Sequence, residues 1–307
     1  MHTSRLTLGS LTLAALALGM PAGPARAQPA APCAAYVEAF GRGATAFAAG
    51  DTLGARSAWA DAARATVCGP DAAFNLATVA LGRGEWGEAE RRYSEALVRM
   101  DAWADSSAAR AGLRRLERAA LDGLFAVGSE RLRADSAHAA ARVFAGLVAR
   151  DPLLREAHHA LAFALYRLER WADLVPAARR ALAFDPLSYN AHVLLYNAYR
   201  GREDGPNARA ALDAVNALPI DVRGVELLPA PGGQRLAGTV AGRAAPAGTP
   251  VRVAFTLLSP SGEIATQETT LASPGPGDSV PFTVVFPAGG ATAYRYRVLD
   301  AALPGNP

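Results

Sequence analysis

Two spacings of apolar residues divide this chain. From Tyr36 to about Val222 they recur every three or four residues, as on a helix packed along one side. From about Arg223 they alternate with polar residues at period two, as in strands with one buried face. Val251, Val253, Phe255 and Leu257 form one such face, and Val280, Phe282, Val284 and Phe286 another. Tyr294, Tyr296 and Val298 repeat the pattern near the end, and turn-rich stretches at 229–233, 245–250, 259–262 and 273–277 separate the runs. Short strands spaced this way predict a small β-sandwich over 223–303.

The helical part has a beat. Gly50 to Ala55 and Gly84 to Ala89 align, each joining two helix-like runs through a short Gly-containing turn. Ala55 and Ala89 are 34 residues apart, as are Pro152 and Pro186. Ala55 is followed by Trp59 and Ala62, Ala89 by Tyr93 and Ala96, and Ala140 by Phe144 and Leu147. Leu174, Ala178 and Ala181, then Ala208, Leu212 and Val215, complete the series. A small residue (Gly43, Ala77, Gly128, Ala162) stands 12 positions before the second-helix residue in four copies. Long side chains there would wedge two closely crossing helices apart, and Pro152 and Pro186 end a repeat because proline does not continue a helix.

This period and pattern resemble the tetratricopeptide repeat, in about five copies over 33–222. The resemblance implies a mainly α chain: a tetratricopeptide-like right-handed helical solenoid, followed here by the small all-β sandwich. It also has Trp59, Tyr93 and Phe144 filling space against the neighbouring repeat. One step, Ala89 to Ala140, is 51 residues. The extra 17 are helical by pattern and predict one long helix from about Asp105 to Arg133, with Asp105 or Ser106 at its cap. The fifth copy has Tyr196 where a small residue is expected and an irregular turn at 201–206, as in a capping repeat. Within the strand region, the run from Leu236 to Val240, then 251–258, Ser261-Gly262-Glu263, Pro276-Gly277 and Phe282 resembles the FxLYD-type immunoglobulin-like domain. That family implies a structural or adhesive module; its usual Asn is replaced here by Ala241-Gly242.

The first 27 residues set an expected compartment. A short positive start, an apolar run from Leu6 to Met20, Pro21 and a closing Ala25-Arg26-Ala27 read as a signal peptide cleaved after Ala27. The protein is then periplasmic or secreted, with no integral membrane span after cleavage. All 31 basic residues are arginine and the net charge is +3, but they are interspersed with 28 acids rather than clustered on one face. That argues against a nucleic-acid partner. Cys33 and Cys68 are the only cysteines. The repeat pattern puts them just before the first helix and just after the second, ends that meet in a helical hairpin, so a disulfide is expected.

Catalytic patterns are missing from the sequence. Without lysine there is no phosphate-binding G-x-x-x-x-G-K-[ST] loop; no G-x-S-x-G elbow occurs, and the histidines lack zincin spacing. His158 and His192, one period apart, read as packing residues, and no enzyme, metal or cofactor is expected. By the resemblance, the face carrying Phe40, Phe47, Phe74, Leu81, Phe125, Leu132, His159 and Tyr166 lines a concave groove for a peptide or helix. Arg133, Arg167 and Arg200 would stand at its edge. The expected function is an exported scaffold binding a protein or peptide partner there. The competing expectation is a structural cell-envelope component in which the β-sandwich makes the contact.

Overall fold

The computed structural model describes residues 31–65, 68–102 and 107–300. The leader expected at 1–27 and the caps Asp105 and Ser106 lie outside them. Ten helices come first among the described residues: α1 (Ala31–Ala48), α2 (Thr52–Ala63), α3 (Asp71–Gly82), α4 (Trp86–Ala102), α5 (Ser107–Arg133), α6 (Ala137–Arg150), α7 (Arg155–Arg167), α8 (Trp171–Phe184), α9 (Tyr189–Gly201) and α10 (Gly205–Ala217). Six strands follow: β1 (Ile220–Ala230), β2 (Gly233–Gly242), β3 (Pro250–Ser259), β4 (Gly262–Ala272), β5 (Ser279–Phe286) and β6 (Ala293–Val298). The described residues form two compact units that divide between Val127 and Gly128, within α5.

The helices are tetratricopeptide-like hairpins, and their turns show how the beat is built. Gly50, Gly84, Asp135, Glu169 and Glu203 all adopt positive φ, between 53° and 80°. Each lies between the two helices of a hairpin. The next residue's N–H reaches back to the carbonyl five positions earlier: Asp51 to Ala46, Glu85 to Ala80, Ser136 to Arg131, Arg170 to Leu165 and Asp204 to Tyr199. This left-handed turn satisfies carbonyls at the end of the first helix and aims the chain into the second.

Aromatic side chains fill hollows left by small residues. A Cβ on Gly43 would lie 2.4 Å from the Trp59 ring, and one on Gly128 2.7 Å from Phe144. Both pairs lie within a single hairpin, and Trp59 also shares a buried cluster with Ala72 and Leu76 of α3 in the next repeat. Tyr93 does both: it meets Phe74 of its own hairpin at 5.6 Å and crowds Gly123 of α5. Trp171 of α8 packs on Gly201 of the following α9.

In the first unit, Cys33 and Cys68 form the expected disulfide, with Cα atoms 5.2 Å apart. Cys33 sits inside α1 rather than ahead of it. Beside the link, buried Arg99 of α4 donates to the Ala63 carbonyl (2.5 Å) and the Gly69 carbonyl (3.2 Å). Cys68 is thus held covalently, and the carbonyls of Ala63 and Gly69 by one guanidinium.

In the second unit the strands make two antiparallel three-stranded sheets, ordered β1-β2-β5 and β4-β3-β6. Their period-two faces meet in one core: Val251, Val253, Phe255 and Leu257 from β3, Tyr294, Tyr296 and Val298 from β6, and Leu236, Val240, Val284 and Phe286 opposite. Strand β1 begins at Ile220, so the change from helix to strand comes three residues before Arg223. The same core encloses Leu187, from the α8–α9 connection, and Leu218, from the end of α10.

Candidate functional site

Helix α7 presents the most distinctive surface of the second unit. His159, Phe163, Tyr166 and Arg167 follow one another at four, three and one residues, which places them on one side of a helix. Phe163 is 42% exposed, while Ala162, Ala164 and Leu165 beside it in the helix are buried. Its ring lies 6.4 Å from Tyr166, which in turn meets Trp171 at 6.0 Å. On the adjacent α9, Tyr196 is half-buried and carries the Arg200 guanidinium 5.8 Å above its ring. Arg167 pairs with exposed Asp135 and Arg133 with Glu130, each at 2.5 Å. Such exposed pairs contribute little and exchange readily for a partner's carboxylate.

His159 differs from its neighbours. Its Nε2 lies 2.6 Å from Oδ2 of Asp185, the residue that ends α8, and Arg155 Nη1 donates to the same oxygen at 2.7 Å. Burial pushes the Asp185 carboxyl up, but the His159 and Arg155 contacts outweigh it and hold the group below the usual carboxylate range. Arg155 also donates to the Val225 carbonyl at 3.2 Å and stacks on Tyr294, 4.8 Å from the ring centre. Its Nε is buried with no hydrogen-bond partner among the described residues.

His158 and His192 hold equivalent places one repeat apart. Each Nε2–H donates to a proline carbonyl six residues earlier, Pro152 at 2.9 Å and Pro186 at 2.8 Å. Burial lowers both imidazole pKa values, so these are neutral packing residues.

The groove residues expected in the first unit are partly enclosed by their own hairpins. Phe40 meets Tyr36 and Trp59, Phe47 meets Trp59, and Phe74 meets Tyr93. Leu81 and Phe125 are half-buried, as is Leu132 in the second unit. The sequence reading passed over Phe163, although its spacing between His159 and Tyr166 carries the signal. It also passed over Arg155, whose partners come from three separate elements.

A cavity of about 430 Å³ opens on α8, lined by Val175, Pro176, Arg179 and Arg180. It shares none of the α7 residues, and Arg179 is tied to the Tyr199 hydroxyl at 2.5 Å. Among the described residues no three His, Cys, Asp or Glu side chains converge as for a metal ion, and no helix is long and apolar enough to cross a membrane.

The sequence matches no protein-family profile and no curated protein. Solved structures with a related helical arrangement include that of MamA protein, 15% identical, covering 59% of this chain and 90% of that one with a TM-score of 0.38. YrrB, described as a TPR protein with an unusual peptide-binding site, is 14% identical, with coverage of 59% and 84% and a TM-score of 0.38. MamA 41-end from Desulfovibrio magneticus RS-1 is 16% identical, with coverage of 59% and 93% and a TM-score of 0.36. None of them assigns a ligand or partner to this chain.

Proposed function

We propose that this chain is an exported interaction scaffold that receives a partner protein's peptide or helix on the α7–α9 face. The observation that carries the reading is Phe163, an exposed aromatic ring beside Tyr166 on the side of α7 that also carries Arg167; Arg200, over Tyr196 on α9, is read as the second margin. An apolar anchor of the partner would cover Phe163, and the arginines would orient a carboxylate next to it. Phe40, Phe47, Phe74, Leu81 and Phe125 would offer a separate surface of the same kind within the first unit. Function here is read as binding rather than catalysis, and the signal-peptide pattern at 1–27 supports a place in the periplasm or outside the cell. The strands are read as an FxLYD-type immunoglobulin-like module.

Affinity recovery of partner from the native compartment tests this, comparing the unaltered chain with Phe163→Ala and with Ala145→Ser, an exposed change on α6. Phe163→Ala removes recovery at unchanged thermal stability, and Ala145→Ser retains it. Equal recovery by all three would overturn the assignment of the face.

A further inference from the structure

Deep in the second unit, one strand carbonyl is held by two donors from different elements. The register of β1 against β2 shifts between Arg223 and Glu226, with Gly224 at φ +56°, and this takes Val225 out of the ladder. Its carbonyl accepts from the Tyr294 hydroxyl of β6 at 3.2 Å and from Arg155 of α7 at 3.2 Å. Arg155 donates in turn to Asp185, whose same oxygen binds His159. His159 stands one helical turn before Phe163. A second seam lies alongside: the Leu187 N–H donates to the Tyr296 hydroxyl, and the Tyr189 N–H donates to Asp221 Oδ1 at 2.9 Å. Leu187 and Leu218 share a buried cluster with Phe255 and Val284.

We infer that the β-sandwich is a working part of the α7–α9 face: Arg155 and Asp185 are positioning residues through which the strands set the place of His159. Opening the strands would uncover Leu187 and Leu218 and strand the Arg155 guanidinium, so the last two repeats and the six strands open together. Deleting the strands therefore disturbs the helical face as well, and a deletion cannot assign binding to one or the other. The functional meaning rests on the proposed scaffold role, but both tests below need no partner, so their failure leaves that role standing and its failure leaves them standing.

Hydrogen exchange of the full chain, read by mass spectrometry, tests the joint opening with Val284→Ala, a truncation inside the strand core. The expected result is faster exchange in β1–β6 by at least about tenfold. The slowest amides of α7 and α9 accelerate by the same factor, and α3 of the first unit does not change. Acceleration confined to the strands would overturn the inference. The relay to His159 is read by the rate at which diethyl pyrocarbonate modifies it, relative to exposed His138. The double change Asp185→Ala with Arg155→Met removes both the direct hold on His159 and its link to the strands without stranding a charge, and the His159 rate rises several-fold toward that of His138. An unchanged His159 rate would show that Arg155 and Asp185 serve stability alone and would overturn the positioning role.

Discussion

Replacing Asp185 with alanine isolates the energetics on which the second unit depends. The Asp185 side chain is 5% exposed and Arg155 16%, and they meet at 2.7 Å. Removing the carboxylate leaves a largely buried guanidinium without its main counter-charge, a change that costs about 3–5 kcal/mol when the remaining charge has no other partner. Here Arg155 keeps Glu156 at 2.8 Å, the Val225 carbonyl and the Tyr294 ring, which argues for the lower end, about 3 kcal/mol. For a unit of this size that corresponds to a midpoint lower by roughly 6–12 °C. The assay is unfolding of the full chain followed by helical circular dichroism and by the near-ultraviolet signal of its tyrosines. Adding Arg155→Met to Asp185→Ala removes the stranded charge as well, so the double variant regains most of the loss and falls within about 1 kcal/mol of the parent. A cost below about 1 kcal/mol for Asp185→Ala, or simple addition of the two single costs, would refute the reasoning.

Acid weakens the fold in two stages. His158, His192 and Asp185 all hold folded pKa values below their unfolded ones, so each binds fewer protons folded than unfolded on acidification. Stability measured in urea is level above about pH 7, falls as the pH drops through about 6.5, and falls again from about 3.9 downward; a rise on acidification would contradict this. Cys33→Ser opens a link spanning 35 residues and lowers the stability of the first unit by about 3–4 kcal/mol in the chain-entropy picture, measured against the oxidised parent. Gly201→Ala places a Cβ 2.4 Å from the Trp171 ring and costs about 1–3 kcal/mol through overpacking, whereas Gly82→Ala, with open space around it, costs less than about 0.5 kcal/mol.

The repeats were legible because packing imposes a period on composition. Ala55, Ala89, Ala140 and Leu174 must fit a close helix crossing, and all four are buried. The turns were legible only where glycine marks them. Asp135, Glu169 and Glu203 take the same left-handed conformation as Gly50 and Gly84 without any compositional sign, since the hydrogen bonds of the turn hold them there. The strands were legible from alternation, because one face of each is buried against the other sheet. The Asp185 cluster was not legible at all: Arg155, Asp185, Val225 and Tyr294 are brought together only once helices and strands share a core. His159, expected on the groove by its spacing, is held from behind by that cluster.

The most direct test of the scaffold reading is a photo-activatable side chain placed at Phe163 in the full chain, with Ala145 as the control position. After irradiation in the native compartment, the account predicts one partner joined at 163 and none at 145, with the joined peptide carrying an apolar residue beside a carboxylate. Cross-links of equal yield from both positions, or from 145 alone, would contradict it.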